Sequence, residues 1–338
     1  MKEAKFTLSD ATRFSIGFDQ RDRERLLKMW DEVFVSNRWS EGPFTERFEE
    51  LWSAWNGLPS VAFSSWTGGA MAALDFIDVR GATVLCPSNT FMATPFSAMR
   101  AGAEVHFVDC NREDLCMSFA DFERKAEQYQ PKAVWLVHIG GHIASAVEKI
   151  AAYCRSHGIW LLEDCAHAHG ADWNGRKPGS WGDVGTYSFY ATKTISTGEG
   201  GMLVSKHPEL IDHARKYRNY GKSEYTVTGL NYRLSEFTAA LGIVQTERMQ
   251  EIVDWKNRYA REVLDARHPG HLRLPDGMVS GLYKYIVFDP IDNSTGKVYD
   301  QSCHRILEHQ VDLPNSDWVA QNHWCVPLYY QGSNERTD

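Results

Sequence analysis

Seven short, almost continuously apolar runs separated by longer amphipathic stretches constrain this 338-residue chain more than any other feature. They are 61-VAFSS, 83-TVLCPS, 104-EVHFVD, 133-AVWLVHI, 159-IWLLEDC, 184-VGTYSFY and 201-GMLVS. A strand with one wet face alternates apolar and polar residues. Runs without alternation predict strands covered on both faces, as in a mainly parallel sheet between layers of helices. The intervening segments 69-GAMAALDFI, 119-FADFERKAEQY and 145-SAVEKIAAYCRSHG predict helices, the last closed by a His-Gly stop. Strand-helix repetition over residues 60–205 therefore predicts an α/β fold with right-handed crossovers.

After residue 205 the pattern changes. Residues 208–221 and 233–266 predict helices, the second long and charged, with a bend expected near 244–255. Beyond it, 283-YKYIVF predicts a strand, 298-VYDQSCHRILEHQ a helix and 324-WCVPLYY a short strand. Residues 20–35 predict a helix packed where the two parts meet. This length favours a large domain, expected over 1–245, followed by a smaller α+β C-terminal domain over 246–338. No internal repeat or low-complexity stretch is visible.

Charge and composition narrow the function classes. Lys and Arg total 36 against 44 Asp and Glu, a formal net charge of −8. An acidic chain without a basic run is a poor nucleic-acid ligand. No stretch approaches the ~20 apolar residues that span a bilayer, and the N-terminal residues lack the apolar core of a signal peptide. A cytoplasmic location is expected. The seven cysteines include no CxxC pair, which favours reduced thiols packed as small hydrophobes over a disulfide framework.

Ligands of open α/β sheets bind beyond the carboxyl ends of the strands. After the first run comes 66-WTGGAM, a Gly-rich turn opening a helix, where backbone N–H groups can hold a phosphate. By itself such a turn is commonly only a tight connection. After the second run Phe91 stands at a strand end, where a core aromatic is the bland reading. Asp164 closes the fifth run, followed by His167 and His169. A carboxylate buried at a strand end needs a cationic partner. A metal held by Asp164, His167 and His169 is one candidate, but nothing elsewhere in the sequence completes a coordination shell, so no metal is expected. After 187-YSFY, Lys193 lies in a small-residue loop between two buried strands. Burial would depress its pKa and make its amine nucleophilic.

EDCAHAHGA, followed by GSWGDVGTYSFYATKTISTGEGGMLVS, resembles the DegT/DnrJ/EryC1/StrS family of sugar aminotransferases, of the aspartate-aminotransferase-like fold (PLP fold type I). The likeness extends through 42-GPFTERFEELWSAWNG, 87-PSNTFMATPFSAMRAGAEVHFVD, 137-VHIGGHIA, 218-RNYG and 229-GLNYRLSEFTAALGIVQ, unbroken over about residues 35–260. The resemblance implies pyridoxal 5'-phosphate as cofactor, with Lys193 as its Schiff-base lysine and Asp164 as partner of its ring nitrogen. It implies His167 near the cofactor's 3-oxygen, Phe91 stacked on the ring and Ser188 on the phosphate. Asn231 would come from the neighbouring subunit of a homodimer with shared active sites, with Arg233 beside it.

The family's Gly-Thr phosphate turn departs here to Thr67-Gly68-Gly69-Ala70. Aligning Gly69 with the family's Thr keeps Leu74 and Phe76 in register, and Gly68, Gly69 and Ala70 would then hold phosphate by backbone N–H groups. The chain also stops soon after the PLYYQG block, so a short or incomplete C-terminal domain is expected. The expected substrates are a nucleotide-linked keto-deoxysugar and glutamate, with a keto-cyclitol as alternative acceptor. Arg38, Trp39, Tyr190, Arg218 and Arg233 are the candidate sugar contacts, with Lys222 nearby, although each singly also suits an ordinary surface position. The rivals are a PLP-dependent sugar dehydratase, which carries His in place of the lysine, and a non-catalytic relative. Lys193 argues against the first, and Lys193 together with Asp164 against the second.

Overall fold

The computed structural model describes residues 17–330. All seven apolar runs form strands of one sheet: β1 (Ser60–Phe63), β2 (Thr83–Pro87), β3 (Glu104–Val108), β4 (Ala133–Val137), β5 (Trp160–Asp164), then, past the two-residue β6 (Asp172–Trp173), β7 (Val184–Ser188) and β8 (Gly201–Ser205). Their spatial order is β1-β8-β7-β5-β4-β2-β3, and β8 alone runs antiparallel to both its neighbours. The near-continuous apolar pattern has the expected cause. One face packs beneath α3 (Trp66–Ile77) and α7 (Pro208–Tyr217), and the other beneath α5 (Phe119–Tyr129) and α6 (Val147–His157). All seven cysteines are buried and unbridged.

A third apolar cluster joins α1 (Gln20–Ser36), α2 (Pro43–Asn56) and the long α8 (Glu236–Tyr259). The start of α2 has no side-chain cap of its own. The buried Glu236 carboxylate of α8 serves instead, accepting N–H bonds from Gly42, Phe44 and Thr45 at 2.9, 2.8 and 3.1 Å. The helices close so tightly that a Cβ at Gly242 would stand 2.6 Å from the Phe48 ring. Along α8, Arg248 pairs with Asp22 of α1 and donates to the Tyr330 hydroxyl at 2.9 Å. The 20–35 helix therefore lies against α8 and reaches the C-terminal end of the described chain.

The later chain departs from the sequence reading in three places. The bend expected at 244–255 is absent; α8 is unbroken to Tyr259, and the irregularity is a π-helical segment at Ala260–Leu264, before the short α9 (Asp265–Arg267). The helix expected over 298–310 shrinks to α10 (Cys303–Ile306), because tertiary acceptors take the backbone donors: Val298 N–H bonds His323 Nε2, and Cys303 N–H bonds Ser88 O. Three helices were not anticipated: α2, α4 (Ala93–Arg100) and α11 (Pro314–Gln321). The C-terminal strands are short: β9 (Met278–Val279) pairs with β6, and β10 (Tyr285–Val287) with β11 (Trp324–Val326). Among the described residues no helix is long and apolar enough to cross a membrane.

Candidate active site

A cavity of about 430 Å³ opens at the carboxyl edge of the sheet. Phe91, Asp164, His167, Ser188, Tyr190 and Lys193, all singled out from the sequence, line it together. Three features of the sequence bring them there. β5 and β7 are parallel neighbours, so Asp164 and Ser188 end at one edge. The loop after β7 folds back so that Lys193 N–H reaches Tyr190 O at 2.9 Å. The apolar residues of both strands hold these ends in the core.

Asp164 is buried, and its two oxygens each accept one bond, from Thr94 Oγ1 at 2.9 Å and Ala166 N–H at 3.0 Å. Burial pushes its pKa up; the two hydrogen bonds and the nearby Lys193 amine oppose the shift. Among the described residues no Arg or Lys forms an ion pair with it, so a buried carboxylate faces the cavity with room for a cationic partner. Lys193 is half-buried on the wall, its Nζ 4.7 Å from the Tyr283 ring centroid. Desolvation pulls its pKa down to about 8, with Asp164 opposing and Lys284 assisting. Its amine thus has a neutral, nucleophilic fraction near physiological pH.

His167 is held neutral. Burial, then the Lys193 charge, press its pKa well below the ordinary range. Its Nδ1 accepts the Gly140 N–H at 3.3 Å, which leaves the proton on Nε2, 3.4 Å from the Tyr299 hydroxyl. The Tyr283 ring lies 4.2 Å from the imidazole and its hydroxyl 3.0 Å from Thr192 Oγ1. Thr94, Tyr283 and Tyr299 escaped the sequence reading. The tyrosines come from segments that carry no motif, and Thr94, although inside the 87–109 block, was not singled out; only the fold brings the three to Asp164 and His167.

The remaining candidates sit elsewhere. Ser65, Trp66 and Thr67, at the start of α3, form the cavity wall, whereas Gly68, Gly69 and Ala70 are buried behind them. A Cβ at Gly68 would stand 2.8 Å from the Tyr232 ring, so close packing requires that glycine. His169 is wholly buried among Trp52, Tyr187 and Phe189, so Asp164, His167 and His169 do not converge as metal ligands. Its pKa falls to about 3 by burial.

Arg218, expected to meet substrate, is buried and engaged: its Nη1 donates to Glu49 Oε1 at 2.5 Å and Ala62 O at 2.8 Å. Its guanidinium ties α7 to α2 and β1 and is not offered to the cavity. Arg38 donates to Glu41 O, and the exposed Trp39 packs edge-on against Phe34 and Phe237. Arg233 donates to Asn219 Oδ1 at 2.5 Å, and Asn231 is exposed. None of these four lines the cavity within the chain.

Beside Asp164, Glu163 points the other way. Wholly buried, it accepts from His138 Nε2 and from the N–H groups of Gly179, Trp181 and Gly182, fixing the 178–182 turn beneath β7.

The chain is similar to known proteins over most of its length. The sequence profile of the DegT/DnrJ/EryC1/StrS aminotransferase family matches residues 20–267. The GDP-perosamine synthase of Vibrio cholerae is 33% identical over 249 residues, covering 72% of this chain and 66% of that protein. The match thus spans slightly under two thirds of that relative's length. The dTDP-4-dehydro-2,3,6-trideoxy-D-glucose 4-aminotransferase of Saccharopolyspora spinosa is 31% identical over 306 residues, covering 83% of this chain and 78% of that one. Among solved structures, the aminotransferase TlmJ from Streptoalloteichus hindustanus superposes with a TM-score of 0.84 at 28% identity, over 96% of this chain and 94% of its own.

Proposed function

The chain belongs to the DegT/DnrJ/EryC1/StrS aminotransferase family, and from that premise we propose that it moves an amino group from glutamate to a keto group of a nucleotide-linked deoxysugar. The cofactor of this family is pyridoxal phosphate, and the residues present fit it. The observation that carries the reading is the cavity itself. It sets a buried carboxylate without an ion pair among the described residues and a lysine amine of depressed pKa on its wall.

When bound, pyridoxal phosphate supplies an electrophilic aldehyde carbon and an electron-withdrawing ring. Lys193 Nζ would be the nucleophile toward that carbon and the atom that takes up and returns a proton. Asp164, its carboxylate steadied by Thr94 and Ala166, would hold a positive charge on the ring nitrogen. His167 offers a neutral Nε2–H. Phe91, 64% exposed, presents a free face for stacking. The N–H groups that open α3 and the Ser188 hydroxyl would be the phosphate donors.

The same reading divides the chain near residue 245 into cofactor-binding and smaller parts, and makes the protein a cytoplasmic homodimer. Asn231, Arg233, Arg38 and Trp39, which leave the cavity of their own chain, would then serve the neighbouring one. A keto-cyclitol is the alternative acceptor.

A half-reaction screen tests the proposal. Glutamate should convert the bound cofactor to its pyridoxamine form, and a nucleotide-linked keto-sugar should restore the pyridoxal absorbance. Restoration only by unphosphorylated cyclitol ketones overturns the sugar assignment, and no conversion by glutamate overturns the donor.

A further inference from the structure

We propose that a second cavity, of about 340 Å³, binds a phosphate-bearing small molecule through Arg261, Arg273 and Lys284. This goes beyond the aminotransferase reading and does not depend on it. The three cations come from three separate elements: Arg261 from the π-helical segment, Arg273 from the loop after α9, and Lys284 from the residue before β10.

The site is electrostatically unbalanced. Among the described residues none of the three cations forms an ion pair with a carboxylate. Arg273 makes one long bond, Nη2 to Pro269 O at 3.4 Å, and the Lys284 ammonium lies 5.1 Å from the Tyr283 ring. Elsewhere Arg248 pairs with Asp19, Asp22 and Glu251, and Arg305 with Asp317; what sets this place apart is that three cations line one cavity. The single carboxylate on the cavity wall, Asp265, is already engaged. It accepts the Tyr285 hydroxyl at 2.7 Å and lies 3.8 Å from His271 Nε2. Three cations against one occupied carboxylate leave an excess that a dianion would neutralise and a lone carboxylate would not. Two guanidinium forks and an ammonium also match the tetrahedral oxygens of a phosphate.

The backbone is irregular at the same place. The wider turn at Ala260–Leu264 breaks the regular progression of α8 and carries Arg261 and Ala260 onto the cavity wall. Such π-helical insertions concentrate at functional sites. The far wall is shared with the cofactor site. Leu282 and Lys284 line this cavity, while Tyr283 between them packs on His167.

The test uses holoenzyme, so that bound pyridoxal phosphate fills its own phosphate cradle. Inorganic phosphate and inorganic pyrophosphate are titrated calorimetrically into the native protein and into Arg261→Ala/Arg273→Ala. At least one probe should bind the native protein saturably, and its affinity should fall at least about tenfold in the double variant. Cofactor content and unfolding temperature should be unchanged, since neither arginine makes a structural ion pair. Arg273→Ala alone, at an exposed loop position, carries the same test if the double variant folds poorly. Absence of saturable binding in the native protein overturns the proposal. Equal affinity in native and variant overturns it too, by assigning the anion to another surface.

Discussion

Replacing Thr94 by Val isolates one hydrogen bond to the carboxylate at the centre of the cofactor site. Thr94 Oγ1 donates to Asp164 Oδ2 at 2.9 Å and lies 3.0 Å from Thr90 Oγ1. Burial already raises the Asp164 pKa, and this bond is one of the two that oppose the rise. A hydrogen bond to a charged group contributes about 1.5–3 kcal/mol, or about 10- to 150-fold in an equilibrium. Without it the carboxyl protonates at higher pH, so its charged form is lost sooner as pH falls. The expected result is a kcat/KM lowered by about tenfold or more at neutral pH, with the acidic limb of the pH profile moved upward. Val matches the shape of Thr, so α4 keeps its packing. The stranded Thr90 hydroxyl costs a separate ~1–3 kcal/mol of stability. Thr94→Ser keeps the donor and should return the acidic limb to its native position, which a purely packing role would not explain. The assay is kcat/KM against pH, with cofactor loading checked by absorbance. A fully loaded Thr94→Val enzyme within about twofold of native, with an unmoved limb, refutes the reasoning.

Asp164→Asn should lower turnover by on the order of 3 kcal/mol in barrier while leaving the fold intact; near-native turnover would remove Asp164 from its role. Glu163→Gln puts an NH₂ group against two of the four donors that the carboxylate now satisfies, and should cost about 2–6 kcal/mol in urea unfolding. A loss below about 1 kcal/mol would contradict that account. In the apoprotein, Lys193 titrates near 8 rather than at its ordinary 10.5, so the unfolded chain binds more protons between those values and native stability rises with pH across that window. Lys193→Met lacks this contribution; its unfolding free energy should exceed that of the native apoprotein at pH 7, and the gap should narrow by pH 10. Parallel pH curves would disprove it. Mixing inactive Lys193→Ala with inactive Asn231→Ala protein should restore part of the activity if two chains build one site, and no recovery on mixing would argue for sites completed within one chain.

Sequence alone determined the sheet. Most of the seven strands are nearly continuous apolar runs, because a strand covered on both faces has no wet face to write into its pattern. It also determined which polar groups stand at or just beyond strand ends, since Asp164, Ser188 and Lys193 are local to β5 and β7. What it could not carry was anything fixed by residues far apart in the chain. Thr94 finds Asp164 across 70 positions, and Tyr299 approaches His167 across 132. Arg218, a candidate substrate contact in the sequence, is instead the buried partner of Glu49, 169 positions away. The helix expected over 298–310 dissolved for the same reason, its backbone donors being taken by Ser88 and His323. Apolar periodicity and strand-end chemistry are local properties that a chain displays in order, whereas the partner of a buried charge is chosen by packing, which only the folded chain decides.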